Sequence, residues 1–300
     1  MKKTKSWLLL AVVLGLTALS CHPPLRRYTV TFWGVFDTVI QITAESPSEE
    51  EFHHLTDAAM DRFTELSHIY DRFREYDGIV NLASLNIRGQ TDAVVLPHEL
   101  FDLLSYMLQG RDATGGVVDP AMGRVTDAWR QCILASSNDA PKDMPDPAAL
   151  LRAANDAKGN VLALDHTAQT ARLSPGILLD VGAVAKGYAT ELVGRELTAA
   201  GLTRLAISSG GNVRVFAPPE GRLGWHIGVQ NPNMPILGDA PSLANLLLSD
   251  LAVATSGDYQ RFFWLNGQRI HHIINPKTLW PANHYRAVTV VAPDAAMADL

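Results

Sequence analysis

The residues best suited to chemistry lie in segment 180–188, which reads DVGAVAKGY. A brief apolar stretch ends there in the carboxylate of Asp180, a glycine follows, and a helical pattern begins. The first turn of a helix presents free N–H groups and a partial positive charge, which suit a diphosphate, and Lys186 adds a cation. A capped strand-to-helix turn with a surface lysine explains the same residues equally well. The segment by itself therefore leaves a phosphate site and a plain turn open.

Two neighbouring histidines form a second group. His271 and His272 stand in the sequence HHIINPKT, shortly after the segment SGDY at 256–259. An imidazole beside a nucleotide could accept a proton from an attacking hydroxyl. The two rings could instead bind a metal, but neighbours on a strand point to opposite faces, so one ion is not expected to bind both. The plainer alternative is one buried, hydrogen-bonded histidine and one exposed histidine.

A glycine turn is the third feature. Gly210, Gly211 and Asn212 follow the apolar segment 206–208. Glycine permits left-handed dihedral angles or the close approach of a ligand. Taken alone, the pattern indicates a plain turn at the end of a strand.

The elements that must position these groups are helices and strands in mixed order. Aromatic and β-branched residues predict a strand pair over 28–43, interrupted at 34–37. Ser48 and Glu51 form a capping box before a long amphipathic helix. Helices are also predicted over 97–108, 147–157 and 183–199, the last with Val184, Tyr188, Leu192 and Leu197 facing inward. A hairpin is predicted over 161–173, and extended segments over 177–180, 204–216, 224–230, 246–255, 262–264, 270–274 and 287–292. Strict βαβ alternation is lacking, which favours an α+β fold.

Length and charge limit the classes of partner. The 300 residues suffice for one large domain or two small ones. The formal net charge of −6 gives no reason to expect DNA or RNA as a partner. A nucleotide remains compatible with that charge, because a helix N-terminus and one or two cations can bind a diphosphate locally.

The N-terminal residues have the pattern of a bacterial export signal. Three lysines among the first five residues precede an apolar run over 7–19, which is too short to span a membrane. The run ends in ALSC, which resembles a lipobox, so Cys21 is expected to be acylated and to anchor the protein to a membrane of the cell envelope. A plain secretory signal is the alternative. We therefore expect a signal peptide at 1–21, a tether at 22–27 and a domain over 28–300.

Only one other cysteine is present. If Cys21 carries lipid, Cys132 has no intramolecular disulfide partner. Its apolar neighbours predict a small buried hydrophobic side chain rather than a nucleophile.

Taken together and in this order, the segments resemble the ApbE family of flavin transferases along nearly the whole mature chain. The main motifs are Asp180-x-Gly-x-x-x-Lys-Gly, Gly210-Gly211-Asn212, Ser256-Gly257-Asp258-Tyr259 and His272-Ile273-Ile274-Asn275-Pro276-x-Thr278. Supporting pieces are Phe36-Asp37-Thr38, Tyr76 ahead of Asn86, and Gly116-Val117-Val118-Asp119-Pro120 ahead of Trp129.

The resemblance implies a fold and a reaction. The fold would be a T-fold-like α+β architecture of antiparallel sheets packed with helices. The family moves the FMN half of FAD onto a threonine or serine hydroxyl of an acceptor flavoprotein, and AMP leaves. Some members hydrolyse FAD to FMN and AMP instead, and both reactions need Mg²⁺. The acceptors expected here are flavoproteins of the envelope, such as subunits of redox pumps.

The resemblance also implies roles for particular residues. His272 matches the motif histidine and is the expected base. The positions expected to contact FAD are Phe36, Tyr76, Val117, Val118, Asp119, Asp180, Lys186 and Ile274. Ala183 matches a position that gives a backbone carbonyl to Mg²⁺, and Asp299 matches a carboxylate ligand. Oxygen donors of this kind suit magnesium.

Four features depart from the family pattern. Phe36 stands where methionine is usual, Asn275 replaces an aspartate, and Leu279 replaces a glycine. In the family a threonine four residues beyond the Asp299 position also binds the metal, whereas this sequence ends at Leu300. The domain is therefore expected to be incomplete at its C-terminus. A FAD pyrophosphatase and a flavin-binding lipoprotein without catalysis are the alternatives to a transferase.

Overall fold

The computed structural model describes residues 24–136, 144–234 and 242–300. The expected signal peptide and the expected lipidation site Cys21 lie outside the described residues. Strand β1 begins at Arg26, so it takes in the last two residues of the expected tether. Within the described ranges, no helix combines the length and the apolar character needed to cross a bilayer.

A six-stranded antiparallel sheet forms the centre of the molecule and confirms the expected α+β class. The strands lie in the order β1-β2-β6-β7-β10-β13. Their bounds are Arg26–Val35, Thr38–Ser46, Leu205–Ser209, Asn212–Val215, Leu251–Gly257 and Ala287–Ala292.

Within the described residues, seven further strands form smaller sheets. A three-stranded sheet has the order β3-β5-β4, and two pairs are β8-β9 and β11-β12. Their bounds are β3 Val94–Val95, β4 Leu162–Asp165, β5 Thr170–Leu173, β8 Trp225–Val229, β9 Ala244–Leu248, β11 Phe262–Leu265 and β12 Gln268–His271.

Helices cover the sheet and bury most of the apolar side chains. The described helices are α1 (Glu49–Tyr70), α2 (Leu82–Arg88), α3 (His98–Ala113), α4 (Gly123–Ala135), α5 (Pro147–Asp156), α6 (Ala185–Ala199) and α7 (Ala295–Asp299). Ser48 accepts a hydrogen bond from the backbone of Glu51, as the capping box predicts. The main core joins the sheet to α1, α3 and α6, and a second cluster joins α4 to β11 and β12.

The first hairpin confirms the predicted strand pair and its interruption. Val35 pairs with Thr38, so only Phe36 and Asp37 form the turn. Both have positive φ values, 53° and 52°, which a two-residue hairpin turn requires and which cost a non-glycine residue energy. Gly210 packs against this hairpin so closely that an added Cβ would overlap Thr38 Oγ1. Glycine is thus required there by contact as well as by conformation.

The strand predicted over 177–180 is wrong. Only an isolated bridge between Leu178 and Met122 forms there. The reason is Asn86, whose Oδ1 accepts from the Leu179 N–H at 2.7 Å while its Nδ2 donates to the Leu179 carbonyl at 3.1 Å. One buried amide therefore takes the place of a neighbouring strand.

The buried face of α6 also differs from the prediction. Val184 and Leu197 are buried as expected, whereas Tyr188 and Leu192 are only half-buried. The face that packs most closely has small residues, because Gly194 contacts the Phe216 ring and Gly187 contacts α7. Apolar periodicity does not register a contact that depends on the absence of a side chain.

Candidate functional site

The start of α6 is the centre of the candidate site. The helix has no side-chain N-cap, and the Gly187 N–H donates to Asp299 Oδ2 at 2.8 Å. That N–H is one of the first-turn donors that have no carbonyl partner inside the helix. Across the described residues no donor engages the Ala183 carbonyl and no acceptor engages the Lys186 N–H. An unpaired carbonyl just before the helix and an unpaired N–H in its first turn therefore remain at the start of α6.

Asp299 lies in a polar pocket between α6, α7 and β7. Burial raises the pKa of Asp299, while the charge of Lys186, the Gly187 N–H and the side chain of Asn212 act in the opposite direction. Asn212 is itself buried and faces Asp299, but its Nδ2 makes no hydrogen bond of good geometry among the described residues. Among the residues that the structure describes, Lys186 forms no ion pair. The pocket thus retains unpaired donors and an ammonium group beside one carboxylate.

The two histidines differ in burial, which agrees with the plainer alternative of one buried and one exposed ring. Strand β12 ends at His271, so the strand predicted over 270–274 is wrong beyond that residue. His271 is buried, with Nε2 at 2.9 Å from the Ala282 carbonyl and Nδ1 accepting from the Ile273 N–H at 3.2 Å. His272 is open to solvent but surrounded by protein. Desolvation by the surrounding protein lowers the pKa of His272 to about 4, and the charges of Arg261, His271 and Lys186 act in the same direction. His272 is therefore neutral near pH 7 and able to accept a proton.

The turn after His272 contains two of the residues that depart from the family pattern, Asn275 and Leu279. Asn275 Oδ1 accepts from the backbone of Lys277 at 2.9 Å and of Thr278 at 3.3 Å, which an aspartate oxygen could also do. Leu279 has a φ of 61°, the left-handed conformation in which glycine is unstrained. Its carbonyl accepts from Trp129 Nε1 at 2.8 Å, so the turn is fixed to the second core cluster.

Asp180 is engaged by protein groups on both oxygens. Oδ1 accepts from the Gly182 N–H at 2.8 Å, and Oδ2 accepts from Thr126 Oγ1 at 2.7 Å. Arg72, which is buried, places Nε 3.5 Å from the same Oδ2. Asp180 therefore shapes the turn that leads into α6, and its expected contact with FAD stays a prediction.

Two aromatic residues expected at the flavin lie on separate turns. Phe36 occupies the strained hairpin turn with its ring centroid 6.4 Å from that of Tyr70. Tyr76 donates to Asp71 Oδ2 at 2.8 Å, and its ring stacks on His68 with 4.0 Å between centroids. Both rings are half-buried. A half-buried ring on a fixed turn can contact a planar ligand.

The segment 117–119 joins the site only indirectly. Val117 is exposed and Val118 is half-buried, and burial raises the pKa of Asp119. The next residue, Pro120, accepts from the Asp180 N–H at 2.8 Å. Ile274 is half-buried and bridges to Pro281. In the described ranges, no hydrogen bond or ion pair links 117–119 to His272 or Asp299.

Some residues that support the site were not singled out in the sequence. Arg72, Thr126 and Glu191 contact the turn or the helices that position Asp180 and Asp299. The sequence does offer a reason to single out Glu191, because it is an acidic residue one turn after Gly187 on a helix that must pack on both sides. Arg72 and Thr126 had none, because only the fold brings them near Asp180.

The donors present fit a small, hard cation. Across the described part of the chain, no three or more His, Cys, Asp or Glu side chains converge as a metal cluster. Mg²⁺, however, is commonly held by one or two carboxylates together with water and substrate phosphates. The free Ala183 carbonyl and Asp299, which uses only Oδ2 for Gly187, are oxygen donors of that kind.

Comparison with known proteins identifies the family of this chain. A model of the ApbE family matches residues 36–300. The FAD:protein FMN transferase of Treponema pallidum (strain Nichols) is 32% identical over 235 residues, or 73% of this chain and 62% of that protein. The FAD:protein FMN transferase of Rhodobacter capsulatus is 32% identical over 202 residues, or 66% of this chain and 36% of that protein. The aligned part of the chain thus spans less than two thirds of either relative.

Solved structures agree on the fold. The ApbE protein from Thermotoga maritima superimposes with a TM-score of 0.77 at 25% identity, covering 91% of this chain and 84% of that one. The flavin transferase ApbE from Vibrio cholerae has a TM-score of 0.72 at 19% identity, covering 92% of this chain and 85% of that one. The family match, the relatives and the shared fold lead to one conclusion: the chain belongs to the ApbE family.

Proposed function

We propose that this protein is a Mg²⁺-dependent FAD:protein FMN transferase. The observation that carries the proposal is the neutral, solvent-accessible His272 close to the charge of Lys186 at the uncapped start of α6. Relatives of similar sequence have the name FAD:protein FMN transferase, which supports the same reaction for this chain.

The diphosphate of FAD would lie at the start of α6. The Lys186 ammonium and the free Lys186 N–H in the first turn favour an anion there. The buried Asn212 side chain, which faces Asp299, would be a further donor for a phosphate oxygen. Phe36, Tyr76, Asp119 and Ile274 would contact the rest of FAD.

Ala183 and Asp299 would hold the cation. Mg²⁺, when bound, would offset the negative charge that spreads over the phosphate oxygens during transfer. Asp299 is fixed by the Gly187 N–H, so it would meet the ion without reorganising. Water and phosphate oxygens would complete the ligand set.

In the transfer step, a hydroxyl oxygen of the acceptor attacks the phosphorus in the FMN half of FAD. A new P–O bond forms, the bond from that phosphorus to the AMP half breaks, and AMP leaves with the electron pair. His272 takes the hydroxyl proton, because its imidazole is neutral at pH 7. Lys186 would stabilise the charge that develops on the phosphate oxygens.

The experiment that tests this proposal follows both products of FAD. Protein, FAD and Mg²⁺ are incubated with and without a flavoprotein acceptor domain, and AMP, free FMN and acceptor-bound flavin are separated by chromatography. Transfer predicts that AMP appears together with acceptor-bound flavin. AMP with an equal amount of free FMN, whether or not acceptor is present, indicates a FAD pyrophosphatase. Bound FAD without AMP indicates a flavin-binding lipoprotein and contradicts both enzymes.

We also propose that the protein is anchored by lipid on Cys21 and acts on envelope flavoproteins. The export signal and the lipobox-like ALSC support this location. Metabolic labelling with an alkyne fatty acid should mark the wild type and leave Cys21→Ser unmarked. Equal labelling of the two proteins would contradict the anchor.

A further inference from the structure

Helix α7, which carries Asp299, is fastened to α6 at two points. Asp299 Oδ2 accepts from the Gly187 N–H at 2.8 Å, and Glu191 Oε2 accepts from the Ala295 N–H at 3.0 Å. Gly187 and Glu191 are four positions apart on α6, and Ala295 and Asp299 are four positions apart on α7. The two helices therefore run antiparallel, with the two hydrogen bonds about one turn apart.

The packing between the two points allows little adjustment. A Cβ added at Gly187 would overlap the Ala295 carbonyl oxygen and lie 2.6 Å from Asp299 Cβ. The backbones are thus as close as a glycine permits. A shift of Ala295 would move Asp299, because both lie on one short helix.

The carboxylate of Glu191 forms an ion pair with Arg214. Arg214 Nε donates to Glu191 Oε2 at 2.8 Å, and its other nitrogens donate to Asp250 Oδ1 at 3.0 Å and to the Val215 carbonyl at 2.5 Å. Glu191 and Arg214 are both buried. Asn212 and Arg214 are two residues apart on β7 and so share one face of the strand. Asn212 faces Asp299, and Arg214 faces Glu191.

A buried ion pair of this kind adds little net stability but fixes geometry when its hydrogen bonds are satisfied. We propose that Glu191 is a positioning residue for the Mg²⁺ site: its Oε2, held by Arg214, fixes the start of α7 and thereby the carboxylate of Asp299. This inference rests on the proposed function only in that Asp299 binds Mg²⁺. Residues that orient a metal ligand commonly change metal affinity by about 10–100-fold when replaced.

The test is Mg²⁺ binding by the full chain, measured by titration calorimetry without FAD. Glu191→Gln keeps an oxygen at the same reach, so it can still accept from the Ala295 N–H. Glu191→Asp keeps the charge but withdraws the oxygen by about 1.5 Å. We expect Glu191→Ala and Glu191→Asp to weaken Mg²⁺ binding by about 10-fold or more and Glu191→Gln by less than about 3-fold. If Glu191→Gln instead weakens Mg²⁺ binding more than Glu191→Asp does, the charge of Glu191 matters rather than the position of its oxygen, and the inference is overturned.

A matched control lies on the same helix. Glu196 is exposed and pairs with Arg62, so Glu196→Gln should leave Mg²⁺ affinity unchanged. Circular dichroism gives the folded fraction of each variant, and the Asp and Gln variants decide the result if Glu191→Ala does not fold. Unchanged affinity in all three folded Glu191 variants overturns the inference alone. No Mg²⁺ binding by the wild type overturns the Mg²⁺ assignment and the inference with it.

Discussion

The carboxylate of Asp299 accepts the Gly187 N–H, a first-turn donor of α6 that has no carbonyl partner inside the helix. One hydrogen bond thus has two effects. It fixes the acidic side chain of Asp299 against the start of α6, and it satisfies a helix donor that no N-cap side chain engages. The arrangement ties the candidate metal ligands to the helix start that is suited to a diphosphate.

Replacing Asp299 with asparagine should separate these two effects. In Asp299→Asn the side-chain amide oxygen can still accept from Gly187, so the free energy of unfolding should change by less than about 1 kcal/mol. Mg²⁺ affinity should fall by roughly 10-fold or more, because the charged oxygen donor is lost. Calorimetric titration with Mg²⁺ and urea unfolding measure the two quantities. Unchanged Mg²⁺ affinity would remove Asp299 from the metal site.

The neighbouring histidines should give opposite phenotypes. His272→Ala should lower the rate of AMP release by about 10²–10⁴-fold, since a general base is lost, and leave stability nearly unchanged. His271→Ala leaves the Ala282 carbonyl and the Ile273 N–H without their partner and should cost about 1–3 kcal/mol of unfolding free energy. Single-turnover AMP release and urea unfolding distinguish the two variants. A His272→Ala protein with wild-type turnover would exclude this base.

The pH dependence of the reaction should reflect the lowered pKa of His272. A base is active when unprotonated, and desolvation by the surrounding protein, together with the charge of Arg261, lowers the pKa of His272 from 6.5 to about 4. The apparent kcat/KM reports the free enzyme, so it should stay level as pH falls through 6.5 and decline only toward pH 4. Arg261→Gln removes a charge that lowers this pKa, and the acid limb should move upward. A wild-type midpoint near 6.5 would contradict the assignment.

The same shift has a consequence for stability. The unfolded chain takes up a proton on this residue near pH 6.5, whereas the folded chain does so only near pH 4. The contribution of neutral His272 to stability is therefore complete above pH 6.5 and is lost as pH falls toward 4. His272→Ala, measured by urea unfolding over this range, should show a weaker loss of stability on acidification than the wild type.

Two opposing effects on stability meet at Leu279: the strain of its backbone conformation and the burial of its side chain. Its φ of 61° costs a residue with a side chain about 1–2 kcal/mol, which glycine would relieve. The side chain is buried in the second core cluster, and removing a buried leucine costs about 2–5 kcal/mol. Burial is the larger effect, so Leu279→Gly should lower the free energy of unfolding by about 1–3 kcal/mol. A more stable glycine variant in urea unfolding would show that strain dominates.

Much of the fold follows from local patterns. The first hairpin, the capping box of α1 and the helix after Asp180 were predictable because each depends on neighbours in sequence. The strand predicted over 177–180 was wrong because Asn86, far away in sequence, forms hydrogen bonds with the backbone of Leu179. Helix α7 has a cap at Asp294 but only five residues, too few for periodicity to detect.

The site was predictable only in part. One buried and one exposed histidine was among the alternatives for His271 and His272, but β12 ends at His271, so alternation along one strand does not explain the contrast. The pairing of Glu191 with Arg214 and Ala295 joins a helix, a strand and a second helix, and no local pattern predicts such a contact. The turn at Leu279 keeps a left-handed conformation without glycine, because Trp129 and the second core cluster stabilise it.

The proposed reaction moves FMN from FAD onto an acceptor hydroxyl, with His272 as the base. The most direct measurement is the intact mass of an acceptor domain after incubation with the full chain, FAD and Mg²⁺. We predict a mass increase of one FMN unit with the wild type, none with His272→Ala, and none when the acceptor hydroxyl is replaced by hydrogen through Thr→Val or Ser→Ala. An unmodified acceptor in the presence of folded wild-type protein with bound FAD would contradict the account.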